Sequence, residues 1–215
     1  MLTNPQAKRV LLYWDSLVYG KIPWWARYDA STRFSWQVQN ILWDVYDIIE
    51  EWQRGRMLSW ENKHFPQRNG QDHFGPIFSS HAPLDLVIIC LGTNDMNSGQ
   101  DKTYEQMFEW VKNYIEQIAR WSDQFWLSLP KVLLIGPPLI YEEYSYAIFN
   151  DIFKGASVKS KSLSQWYSRI AQELQIAYLD LAGYVLPSLK DGIHLDEEGN
   201  TIVAQELAKK IQELL

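Results

Sequence analysis

The sequence predicts an α/β fold, a parallel sheet with helices on both of its faces, and three observations carry that prediction. Short apolar runs alternate with segments of helical periodicity along the whole 215 residues. The runs DLVIICL (residues 85–91) and KVLLI (131–135) are continuous and aliphatic, as strands covered on both faces require. No repeat, low-complexity tract or linker interrupts the alternation, so residues 1–215 are expected to form a single domain.

Taken in order, residues 9–14 (RVLLYW) read as the first strand, ended by Asp15-Ser16. Residues 35–43 carry apolar side chains at helical spacing, and 45–49 read as a short second strand. The third strand is 85–91. Residues 104–121 place Met107, Phe108, Val111, Tyr114, Ile115 and Ile118 on one helical stripe. The fourth strand, 131–135, is stopped by Gly136-Pro137-Pro138. A helix over 160–174, a final strand over 176–179 and an amphipathic helix over 196–215 complete the chain. Residues 21–32 and 60–83 read as long connections and so as candidate functional loops.

Composition narrows the function. The net charge of −6 and the lack of a Lys/Arg cluster argue against a nucleic-acid surface, because neutralising phosphates needs concentrated positive charge. One cysteine, Cys90, inside an apolar run, excludes an internal disulfide framework and a Cys-based zinc site. No stretch approaches the roughly 20 apolar residues of a membrane span, and the N-terminus does not read as a signal peptide. A cytoplasmic location is the expectation. His64, His73 and His81 fit no standard metal-ligand spacing. No phosphate-binding glycine loop is present. Eleven tryptophans stand out, seven of them at 14, 24, 25, 36, 43, 52 and 60. Core packing accounts for most, with a pocket wall or an oligomer contact as the second reading.

In open parallel sheets, ligands bind beyond the carboxyl ends of the strands. Ser16 follows strand one directly, and Gly92-Thr93-Asn94-Asp95 follows strand three, which makes them neighbours. Asp191-Gly192-Ile193-His194 lies between the last strand and the last helix. Serine hydrolysis needs a base, a carboxylate to orient that base, and donors aimed at the developing oxyanion. His194 fits the base and Asp191 its partner. The donors would be the Ser16 and Gly55 backbone N–H groups and the Asn94 amide. Taken alone, Ser16 could be a mere helix N-cap and Asn94 a turn residue; the set together favours chemistry. Asp15 and Asp95 read as structural, and Glu50-Glu51 as solvated charge.

These blocks resemble the SGNH (GDSL) hydrolases, a superfamily of esterases and lipases. The matching blocks are WDSLVYG (14–20), WQRGR (52–56), LGTND (91–95) and DGIHLDEEGN (191–200). The stretches HAPLDLVIICLGTND (81–95) and VLLIGPPL look most like the branch of bacterial aryl esterases and acyltransferases. The resemblance implies a flavodoxin-like, three-layer α/β/α sandwich with a mostly five-stranded parallel sheet. It implies a serine esterase that uses Ser16, Asp191 and His194, with Ser16, Gly55 and Asn94 as oxyanion donors. No metal or organic cofactor is expected, the partner is a small ester, and a homo-oligomer is expected from the branch. Trp14 and Trp52 stand where that family usually has glycine, so both indoles are expected beside the nucleophile, narrowing or closing the pocket. Acyl transfer by the same residues, and a non-catalytic binding protein with its pocket closed, are the alternatives.

Overall fold

The computed structural model describes residues 4–23, 26–97, 101–144 and 151–215. Five strands, β1 (Lys8–Trp14), β2 (Tyr46–Trp52), β3 (Leu86–Cys90), β4 (Lys131–Gly136) and β5 (Ala177–Asp180), form one sheet in the order β2-β1-β3-β4-β5. Every pairing is parallel. The helices are α1 (Ser16–Tyr19), α2 (Phe34–Leu42), α3 (Gly70–His81), α4 (Tyr104–Gln124), α5 (Ala156–Glu173) and α6 (Glu197–Leu214).

The period-two alternation of the strands sorts the core into two layers. Leu11 and Tyr13 of β1 and Val87 and Ile89 of β3 face α3, α4 and α5, whose Phe74, Phe78, Met107, Val111, Tyr114 and Ile170 are buried there. Val10, Leu12, Trp14, Leu86, Ile88 and Cys90 face the other way, toward Phe34 and Val38 of α2 and Val203, Leu207 and Ile211 of α6. All five residues of β3 are buried, which is why its sequence reads as an unbroken apolar run.

The predicted three-layer α/β/α sandwich is the one observed, with two shifts that matter for the site. β2 extends to Trp52 rather than ending at Ile49, so Glu50 and Glu51 lie in an edge strand rather than standing as solvated charge. They are half-buried and engaged: Glu50 accepts a hydrogen bond from Ser35 and lies 3.5 Å from Arg27 and Arg33, and Glu51 pairs with His81 at 2.6 Å. The longer strand sets Trp52 opposite Trp14 and delivers Gly55 just past the sheet edge. The stretch expected as a loop over 60–83 contains α3. Asn69 caps it through Gln71 N–H, while Pro76 and Gly75 inside it broke the periodicity that would have announced it.

In this strand order the connections after β1 and β3 lead to opposite sides of the sheet, which opens a crevice at their carboxyl ends. Arg56 ties this end together: its guanidinium donates to Trp14 O (2.8 Å) and Glu51 O (2.9 Å) and lies over the Tyr13 ring, 4.1 Å from its centroid.

Candidate active site

The chain leaves β1 at Trp14 and turns at once into α1. Asp15, not Ser16, is the N-cap: its Oδ1 accepts Leu17 N–H at 3.0 Å. That frees the Ser16 hydroxyl from capping duty and sets it at the rim of the crevice, with the residue only 8% exposed. Ser16 Oγ lies 3.0 Å from His194 Nε2, and His194 Nδ1 lies 2.7 Å from Asp191 Oδ2.

The Asp191–His194 pair is built by a short loop after β5. The other Asp191 oxygen accepts the Ile193 and His194 backbone N–H groups at 3.0 and 2.9 Å, so the carboxylate organises the turn that carries its own partner. Gly192 closes that turn at φ +68°, and a Cβ there would collide with the Tyr141 carbonyl; only glycine fits. Ser188 accepts the Gly192 N–H on its carbonyl and donates its own N–H to His194 O at 2.8 Å, bracing the loop from behind. Burial alone would raise Asp191, but the hydrogen bond from His194, its charge and the two backbone donors hold it below the usual carboxylate range. Asp191 is 1% exposed and His194 6%.

Ser16, Gly55 and Asn94 all line one cavity of roughly 240 Å³ with His194. Among the described residues, neither the Ser16 nor the Gly55 backbone N–H has an acceptor. The Gly55 peptide is held from both sides. Arg68 Nε donates to Arg54 O at 2.7 Å, on the same peptide plane as the Gly55 N–H, and Asn62 Nδ2 donates to Gly55 O at 3.0 Å. Gly55 itself adopts φ +77°. Asn94 Nδ2 donates to Asp15 Oδ2 at 3.2 Å and to Arg56 O at 3.0 Å, so both amide protons have partners within the protein. Two further carboxylates sit beneath. Burial pushes Asp15 up to about 6 and Asp95, whose two oxygens accept Leu58 N–H, up to about 7.

Trp14 and Trp52 are not where the sequence led us to expect them. Trp14 is fully buried at 0% exposure, with its ring 5.1 Å from Phe34, and Trp52 packs on Tyr19 at 4.6 Å with Arg27 above it. Neither lines the cavity. The reason is strand parity: Trp14 shares a face with Val10 and Leu12, and Trp52 pairs with it in register, so both indoles pack on the α2/α6 side. Trp24 and Trp25 lie outside the described residues. Of the other histidines, His64 lines the cavity and His81 pairs with Glu51. Sequence reasoning missed Arg56, Arg68 and Asn62, whose targets are backbone carbonyls; only Arg56, inside the WQRGR block, stood within a motif that could have flagged it.

A comparison with protein families matches the GDSL-like Lipase/Acylhydrolase model over residues 32–207. The chain belongs to that family. Membership makes it a carboxylic ester hydrolase. Among solved structures, the M. smegmatis aryl esterase is similar at 28% identity and TM-score 0.90, covering 97% of this chain and 100% of that one. A carbohydrate acetylesterase from Sinorhizobium meliloti is similar at 30% identity and TM-score 0.90, with the same coverage. A second carbohydrate acetylesterase family member from that organism is similar at 26% identity and TM-score 0.86, over 97% and 99% of the two chains. A comparison with curated protein sequences returns no match. Among the described residues, no helix is long and apolar enough to cross a membrane.

Proposed function

We propose that this hydrolase cleaves small carboxylic esters through an acyl-enzyme on Ser16, with His194 as base and acid and Asp191 as its orienting carboxylate. The observation that carries the reading is the unbroken chain of contacts from Ser16 Oγ to His194 Nε2, 3.0 Å, and from His194 Nδ1 to Asp191 Oδ2, 2.7 Å. Ser16 Oγ attacks the carbonyl carbon as its proton passes to Nε2. Asp191, ionised, keeps Nδ1 protonated and stabilises the imidazolium that forms. The negative charge on the carbonyl oxygen meets the Ser16 and Gly55 N–H groups, which have no other acceptor among the described residues, and Asn94 Nδ2. The Asn94 bond to Asp15 is the longer of its two and the one expected to yield as the oxyanion develops. His194 then returns the proton to the departing alcohol, and water releases the acid by the same steps in reverse order of partners.

Substrate size follows from the cavity. A volume of roughly 240 Å³, with Phe65, Ile152, Phe153 and Ile193 in its wall, suits a short acyl or aryl group. The similar structures are an aryl esterase and carbohydrate acetylesterases, which supports the same range. The non-catalytic alternative needed Trp14 and Trp52 to seal the serine, and the position of both indoles on the far face removes its support. Ser16→Ala is expected to abolish turnover of short-chain p-nitrophenyl esters with the melting temperature retained. Hydrolysis at the wild-type rate by that variant would overturn the assignment, and a preference for long acyl chains in a length series would overturn the size reading.

A further inference from the structure

We propose that the cavity beside Ser16 is built for an ester that carries a carboxylate away from its scissile bond, with Arg54 as the group that receives it and Lys21 and Arg68 beside it. The inference rests on the hydrolase reading above and adds a substrate class to it.

The chain is acidic, at −6, yet the cavity wall includes Lys21, Arg54 and Arg68 and, among the described residues, no Asp or Glu. Positive charge concentrated at a concave site against the sign of the whole molecule attracts anionic ligands. Arg54 lies over the Tyr19 ring, 5.3 Å from its centroid, and among the described residues its guanidinium has no ion pair and no hydrogen bond. A guanidinium with no partner of its own can take a carboxylate through two parallel N–H donors. Arg68 spends its donors on the carbonyls of Arg54, Pro66 and Gln67, which are neutral, so its charge is not cancelled. Burial and then the charge of Arg54 lower the proton affinity of Lys21, and the charge of Asp191 acts in the opposite direction.

Of the acids nearby, Asp191 is taken up by His194 and two backbone donors, and Glu61 is exposed and outside the cavity wall, accepting the Arg68 backbone N–H at 3.4 Å. A bland alternative is that these cations are a solvated rim. It predicts no discrimination between a charged and a neutral ester beyond their intrinsic reactivity.

The test compares 4-acetoxybenzoate with its methyl ester, two acetyl esters that differ by one distal charge. The ratio of kcat/KM for the anionic over the neutral ester is measured in the wild type, Arg54→Gln and Arg54→Lys, so that intrinsic reactivity cancels. The expected result is a fall in that ratio of about tenfold in Arg54→Gln, mostly through KM, with much of it restored in Arg54→Lys. Raising ionic strength from about 0.05 M to about 0.5 M should raise the wild-type KM for the anionic ester and spare that for the neutral one. A ratio unchanged within about twofold in Arg54→Gln, or an equal salt response for both esters, overturns the proposal while leaving the hydrolase intact. Failure of the wild type to hydrolyse either ester overturns the hydrolase reading itself.

Discussion

Replacing Asp191 with asparagine isolates what the carboxylate does. The side chain keeps its shape, and its carbonyl oxygen still accepts the Ile193 and His194 N–H groups that hold the loop. What changes is the contact with His194 Nδ1, where an acceptor at 2.7 Å becomes an NH₂ donor. The ring then has to present a bare Nδ1 to the amide and a proton on Nε2 toward Ser16, the tautomer that cannot take the serine proton. The charge is lost as well. With about 4 Å between charge centres and an effective dielectric constant of about 20, the imidazolium loses about 4 kcal/mol of attraction. That is about a thousandfold in rate, and the tautomer penalty carries the expected loss in kcat toward about 10⁴. The assay is steady-state hydrolysis of p-nitrophenyl acetate, beside thermal melting to show that the loop survives. A kcat within about tenfold of wild type in a folded Asp191→Asn protein would refute the assigned role.

Three other outcomes follow from the same geometry. Asn94→Ala removes one oxyanion donor and is expected to lower kcat by about 10²–10³ with little change in KM, measured on the same ester; an unchanged kcat would remove Asn94 from the hole. Gly55→Ala puts a Cβ 3.2 Å from Phe65 Cδ2 at φ +77°, so melting should report a loss of about 1–2 kcal/mol and kcat should fall as the N–H turns away. Asp95 has a folded value of about 7, above that of an unfolded chain, so the stability it contributes is whole at low pH and is lost as pH rises through that value. Asp95→Asn should therefore stabilise the fold at pH 8 by on the order of 2 kcal/mol more than it does at pH 5, as read from melting or urea titration. Equal effects at the two pH values would contradict the burial account.

What the sequence made legible is tied to strand ends. Ser16 and Asn94 follow apolar runs at fixed short offsets, and Asp191 and His194 sit in one tight loop, so the sheet alone brings them together. Gly55 was reachable by position, and it does line the cavity, three residues past a β2 whose acidic tail hid its true length. Illegible were contacts to backbone carbonyls distant in sequence, such as Arg56 on Trp14 and Glu51 or Arg68 on Arg54. A carbonyl carries no residue signature. The misplacement of Trp14 and Trp52 came from treating the strand tip as a point beyond the sheet. Counting back from Trp14 to Leu12 and Val10 assigns all three to one face, and the burial of that face follows from the helices that cover it. Helix α3 was hidden by a proline and glycines that the packing of Phe74 and Phe78 outweighs.

The central claim is that Ser16 is a nucleophile activated through His194, and intact-mass spectrometry after treatment with a fluorophosphonate tests it most directly. The account predicts one adduct per chain, mapped to Ser16, and none in Ser16→Ala, with labelling in His194→Ala slowed by orders of magnitude. An unlabelled wild-type protein, or an adduct on any other residue, would contradict it.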